Sequence, residues 1–168
     1  MVENMSKAMD CYYLYTSTVN NDEVQRLVRN GSDSLFLVDR MGILRGKMST
    51  KAYVELSKFF ELHVMSYPRS LGQLEDALIS GAASVVVPPD IPFEVMEEMT
   101  WLTENIILPF TGQAKALEFE KVGGTRYLAR STIPVRYESL YYVGQNPPGD
   151  NAIVLSGFPE EMNNATIF

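Results

Sequence analysis

An α/β architecture of consecutive parallel βα units is predicted by three observations. Between residues 11 and 110, short apolar runs alternate with amphipathic stretches at a period of roughly 22–25 residues. The runs are apolar throughout, which suits strands covered on both faces. Strands that alternate with helices pair in parallel through right-handed crossovers.

The clearest unit is residues 70–92, SLGQLEDALISGAASVVVPPDIP. Ser70 can cap a helix by accepting a free first-turn N–H. Leu71, Leu74, Ala77 and Leu78 share one face of that helix, while Gln73, Glu75 and Asp76 take the other. Gly81 stands where a left-handed C-cap favours glycine. The run 83–87 (ASVVV) reads as a buried strand, ended by Pro88 and Pro89 because proline cannot donate to a ladder.

The other units read the same way. Residues 1–10 are expected as a ragged end or a short helix. Residues 11–16 (CYYLYT) form a first strand, and Asn21 or Asp22 opens a helix that Asn30-Gly31 stops. Residues 34–39 (SLFLVD) form a second strand with Asp39-Arg40 at its end. Residues 41–48 (MGILRGKM) read as a glycine-containing loop, and Ser49 or Thr50 opens a helix to about residue 60. Residues 61–66 (ELHVMS) form a third strand. Pro92 starts the next helix, with proline in its first turn, and residues 105–110 (NIILPF) form a fifth strand.

After Thr111 the pattern changes. Residues 114–119, 127–130, 139–143 and 152–156 read as strands, with NPPGD (146–150) as a turn. No long helix is expected after residue 104, and the last third reads as β-rich and antiparallel. The expected division is a βα-repeat partial barrel over 1–110 and a β-rich extension over 111–168, packed on or closing the same domain.

Length and composition bound the function. The chain has 168 residues, 46% of them hydrophobic, enough for one globular core. A full eight-stranded barrel of the TIM type takes roughly 250 residues. The expectation is therefore an incomplete or half barrel, whose open edges make a homo-oligomer, a homodimer above all, the expected assembly. The net charge is −7 and Lys and Arg form no cluster, so nucleic-acid binding is disfavoured. A single cysteine, Cys11, excludes an internal disulfide and a cysteine metal site. No apolar run nears a membrane span, and MVENMSKAMD does not read as a secretory leader. A soluble, cytoplasmic protein is expected, with no cofactor and no metal.

The words LFLVDRMGILRG, YPRSLGQLEDALISGAASVVV and ENIILPF resemble the histidine-biosynthesis barrels, the ribotide isomerase and the imidazole glycerol phosphate synthase cyclase. The likeness rests on Asp39, Arg69-Ser70, Leu74-Glu75-Asp76-Ala77, Gly81-Ala82 and Val85-Val86-Val87, over about residues 11–110. It implies a (βα)8-type fold and a phosphorylated metabolite. The chemistry is not carried with it. Strands one and five of that superfamily end in catalytic acids, whereas here Tyr15-Thr16 and Pro109-Phe110-Thr111 stand there. Ser66-Tyr67-Pro68 and Pro88-Pro89 replace the glycines that cradle phosphate, and proline removes a donor.

The candidate ligand-binding residues are Asp39, Arg40, Arg69 and Thr111, at strand ends where α/β proteins place ligands. Asp39-Arg40 can bind a small anion or move a proton; equally, Asp39 can cap its own loop. Arg69 can join that mouth or be a solvated surface arginine. His63 is the only histidine and lies inside a strand, which favours a hydrogen-bonded role over a catalytic one. Residues 42–47 lack phosphate-loop spacing and read as a mobile loop. Two functions stay open: a binder of a phosphorylated or carboxylated metabolite, whether or not it also acts as an enzyme, or a non-catalytic subunit or assembly partner.

Overall fold

In the computed structural model, which describes residues 7–149 and 151–168, eight parallel strands close into a barrel in the order of the chain. They are β1 (Lys7–Leu14), β2 (Ser34–Asp39), β3 (Glu61–Met65), β4 (Ala82–Val86), β5 (Ile106–Pro109), β6 (Arg126–Ala129), β7 (Ser139–Tyr142) and β8 (Ala152–Ser156). The helices are α1 (Asn21–Arg29), α2 (Arg40–Arg45), α3 (Thr50–Leu56), α4 (Leu71–Ile79), α5 (Phe93–Leu102) and α6 (Gln113–Lys121). Of the expected ragged or helical N-terminal stretch, residues 7–10 belong to β1 and residues 1–6 lie outside the described residues.

The fold is the TIM-type α/β barrel that the βα repeat implies, closed rather than incomplete. Closure in so few residues has a simple cause. β6, β7 and β8 are joined by residues 130–138 and 143–151, and no helix occurs among the described residues of these connections. A four-residue strand is only about 13 Å long, and nine extended residues reach about 30 Å. A bare loop can therefore return to the start of the next parallel strand. The first loop also covers the sheet as a helix would: Ile133 is buried on the outer core, with Val135 and Tyr137 packed against it. The last third is thus parallel, not antiparallel, with β8 pairing back onto β1. Closure leaves no edge strand, so the edge-based reason for a homo-oligomer no longer applies.

Two segments differ from expectation. Residues 114–119 lie in α6, not in a strand. Their Ala, Lys, Leu and Glu are strong helix formers, but only Ala116 and Phe119 are buried, so the apolar stripe is too thin to show helical period. Residues 41–45 of the expected loop 41–48 belong with Arg40 to α2, held at one end by Asp39 and at the other by Gly46 in the left-handed conformation.

Strand parity divides the core in two. Outward-facing residues such as Leu35, Leu37, Leu62, Val64, Val85 and Tyr127 meet the helices. Inward-facing Phe36, Val38, Met65, Val86, Ile107, Leu128, Tyr141 and Leu155 fill the lumen. At Gly81, φ is 110° and a Cβ would stand 2.4 Å from Ser57 Oγ, so only glycine lets α4 turn into β4 against α3. The central unit otherwise follows its sequence: Ser70 caps α4 by accepting from the Gln73 N–H at 3.2 Å.

Candidate functional site

The C-terminal ends of the strands form one mouth, and the candidates fall around it unevenly. Asp39 shares the outward parity of Leu35 and Leu37, so it faces the helix layer and not the lumen. It is fully buried. Its carboxylate accepts from the N–H of Gly42 (3.3 Å) and of Ser49 (2.8 Å), from Ser49 Oγ (3.1 Å) and from the Tyr53 hydroxyl. Burial first, then the adjacent Asp39 charge, pushes the Tyr53 phenol up, so it stays protonated and donates. A Cβ at residue 42 would stand 2.9 Å from the Ser66 carbonyl oxygen and 3.1 Å from Asp39 Oδ2, so the approach of α2 to Asp39 requires Gly42. Asp39 thereby fixes α2 and the start of α3, which carry the mouth's rim.

Arg40, the next residue, turns to the rim. Its guanidinium lies 4.2 Å from the centre of the Tyr15 ring, and its Nε donates to Glu161 at 3.3 Å. Arg69 follows β3 and is 60% exposed, with a 3.5 Å ion pair to Asp90. It lines a groove of about 350 Å3 with Ile43, Leu44, Tyr67, Asp90 and Ile167. Thr111 follows β5 in a second groove, of about 330 Å3, lined by Phe110, Thr111, Arg130, Ser131, Ala165 and Phe168. The structure therefore brings Arg40, Arg69 and Thr111 to one rim and leaves Asp39 beneath it.

Between the two grooves lies residues 157–168. Phe158, Met162, Ile167 and Phe168 pack into the lumen core and close the mouth. The Tyr67 hydroxyl donates to the Ile167 carbonyl at 2.7 Å, and Arg130 donates to the Phe168 backbone oxygen. The Arg130 guanidinium also lies 4.9 Å from the centre of the Phe168 ring. Neither Arg130 nor Tyr67 was among the residues expected from the sequence. A strand-end arginine after β6 was as visible as Arg69; the left-handed backbone that aims Tyr67, φ 56°, was not.

The groove of Thr111 differs from that of Arg69 in the charge of its lining. It offers a guanidinium and two hydroxyls, and none of its lining residues is acidic. It also adjoins the start of α6, where Gly112 gives no side-chain cap. The first-turn N–H groups of a helix have no intrahelical acceptor and carry partial positive charge. The groove of Arg69, by contrast, includes the Asp90 carboxylate. Among the described residues, no three His, Cys, Asp or Glu side chains gather to hold a metal ion.

At the opposite end of the lumen, His63 is buried. Its Nδ1 lies 2.5 Å from Ser84 Oγ and its Nε2 3.0 Å from Glu61. Arg126 from β6 and Tyr141 from β7 also face it. Burial is the largest influence and lowers its pKa, against the pull of Glu61. Its contribution to stability is therefore complete above about pH 6.5, the unfolded value, and is lost as pH falls below it. Urea titrations should show the wild type losing stability on acidification by up to about 1.4 kcal/mol per pH unit more than His63→Gln. Parallel pH profiles for the two would contradict this. Cys11 also faces the lumen, and burial pushes its thiol up, away from the reactive thiolate.

No helix among the described residues is long and apolar enough to cross a membrane. No family profile matches the chain, and no curated protein matches it by sequence. Solved structures do. The chain is similar to the 2-keto-3-deoxy-6-phosphogluconate aldolase of Zymomonas mobilis at 12% identity and TM-score 0.58, over 75% of this chain and 59% of that one. It is similar to thiamine phosphate pyrophosphorylase from Pyrococcus furiosus at 15% identity and TM-score 0.57, over 91% of this chain and 86% of that one. It is similar to the tryptophan synthase alpha chain of Legionella pneumophila at 14% identity and TM-score 0.54, over 90% and 79%. The chain thus spans under two thirds of the aldolase's length. At these identities the likeness is one of fold, and it establishes the (βα)8 barrel without selecting the histidine-biosynthesis branch.

Proposed function

We propose that this chain binds a small anionic metabolite, phosphorylated or carboxylated, at the C-terminal mouth of its barrel. The observation that carries the reading is the groove of Thr111, Arg130 and Ser131 beside the uncapped start of α6. The Arg130 guanidinium and the Thr111 and Ser131 hydroxyls line that groove, and α6 starts two residues after Thr111, in a protein of net charge −7. Arg40 and Arg69 stand on the same rim, each paired with an acid, Glu161 and Asp90, while Asp39 acts from beneath by fixing α2. Two of the similar structures carry names with a phosphorylated compound in them, a phosphogluconate and thiamine phosphate. The likeness to the histidine-biosynthesis barrels in the wording of residues 11–110 points to the same ligand class.

A thermal-shift screen with sugar phosphates and dicarboxylates tests this. The wild type should be stabilised by at least one of them, and Arg130→Ala should lower that ligand's affinity about tenfold or more, by loss of a charge-assisted contact of about 1.5–3 kcal/mol. Equal shifts in both proteins would place the site elsewhere.

The second reading is a non-catalytic subunit. It is favoured by two observations: the mouth is closed by the chain's own residues 157–168, and the ends of β1 and β5 are followed by Tyr15-Thr16 and Phe110-Thr111 rather than by acids. A stable complex in pull-down with no ligand shift at millimolar concentration would select it.

A further inference from the structure

Residues 157–168 are attached to the barrel in an unusual way. They leave β8 at Gly157, where φ is 80°. Among the described residues their own backbone bonds are all local: Met162 N–H to Pro159, Asn163 N–H to Glu160, and the N–H groups of Ile167 and Phe168 both to the Asn164 carbonyl. No strand ladder includes them. What ties them to the barrel is side-chain contact: Tyr67 on the Ile167 carbonyl, Arg130 on the Phe168 oxygen and ring, Arg40 on Glu161, and four apolar side chains in the lumen entrance. The segment can swing out at Gly157 and break no ladder bond.

Its departure would leave a particular shape. Tyr67 and Arg130 would stand as donors over an entrance lined by Val38, Met65 and Leu128. Tyr67 is the one non-glycine residue among those described with positive φ, a conformation rare for side-chain-bearing residues and typical of strained functional positions. That strain serves to aim its hydroxyl at the segment's backbone. Arg130, meanwhile, belongs both to the anion groove and to the Phe168 contact.

We infer that residues 157–168 are a built-in stand-in for the ligand's apolar part, and that the ligand is an amphipathic acid: its phosphate or carboxylate lies against Arg130 in the Thr111 groove, and its aromatic or branched body displaces Phe168 from the lumen entrance. Seating of the segment and binding of such an acid are mutually exclusive. This rests on the anion reading above and adds the ligand's body and its regulation. The segment sets the apparent affinity, because a site that is open only part of the time binds in proportion to that fraction.

Phenyl phosphate and inorganic phosphate, used as paired probes on the full chain, test it. Phenyl phosphate should bind and speed hydrogen exchange at the Ile167 and Phe168 amides. The double variant Ile167→Ala/Phe168→Ala should bind phenyl phosphate at least tenfold more tightly than wild type, because its competitor is weakened. Phenyl phosphate that binds while those amides stay as protected as before, or with no gain in the double variant, overturns the inference and leaves the anion reading standing. If neither phosphate binds either protein, both fall. Should the double variant not fold, the exchange result on the wild type decides alone.

Discussion

Replacing Asp39 with alanine should destabilise the protein by about 3–5 kcal/mol. The carboxylate accepts four hydrogen bonds, two of them from the backbone of Gly42 and Ser49. Each donor left buried without an acceptor costs about 1–3 kcal/mol, and water can relieve only part of that at a residue with no exposed surface. Asp39→Asn should fall between, since its amide keeps one acceptor oxygen but turns a donor toward donors. Urea unfolding monitored by circular dichroism checks this. A loss below about 1 kcal/mol would mean that α2 and α3 hold themselves without Asp39. Because Arg40 starts α2, the same variant should also weaken anion binding at the rim.

Phe119→Ala should cost about 3–5 kcal/mol, the range for emptying a fully buried aromatic site. The Phe119 ring meets Tyr127 edge-on, with centroids 5.4 Å apart, and presses on Gly124 so closely that a Cβ there would stand 2.4 Å from it. With Ala116 it forms the whole buried face of α6. Its loss should loosen the helix whose start borders the Thr111 groove, so ligand affinity should fall together with stability. Phe119→Leu, which refills most of the volume, should cost about 1.5 kcal/mol or less. Calorimetric unfolding of the three proteins separates these values. Near-equal melting temperatures would show that α6 is pinned by something other than Phe119.

Much of this was legible in the residues, and the rest had physical reasons not to be. Residues 70–92 announced their helix, glycine stop and strand because capping, periodicity and a β-branched run all agreed. The same agreement placed β2, β3 and β5. Closure was hidden because β6 and β7 have four residues each and no helix between them, so no βα period survives to be counted. The thin buried face of α6 hid the sixth helix. Asp39 was found at the right strand end, and of its two readings, mouth ligand or loop cap, the cap is the one that its bonds from Gly42 and Ser49 match. The alternation Leu35, Leu37, Asp39 already carried its outward parity, whereas the four donors came from α2 and α3 and could not be read locally. Arg40, Arg69 and Thr111 reached the rim because strand ends converge in any barrel of this topology. Tyr67 and the role of residues 157–168 depended on a left-handed backbone and on contacts up to 121 residues apart.

An anion bound at the mouth should settle in the groove of Thr111, Arg130 and Ser131. Nitrogen-15 NMR of the full chain, titrated with inorganic phosphate, reads this residue by residue. Saturable shifts at Gly112, Gln113, Ala114 and Ser131, absent in Arg130→Ala, are the result predicted. Shifts centred on Arg69 or on the α1 arginines, or no saturable shift at all, would contradict it.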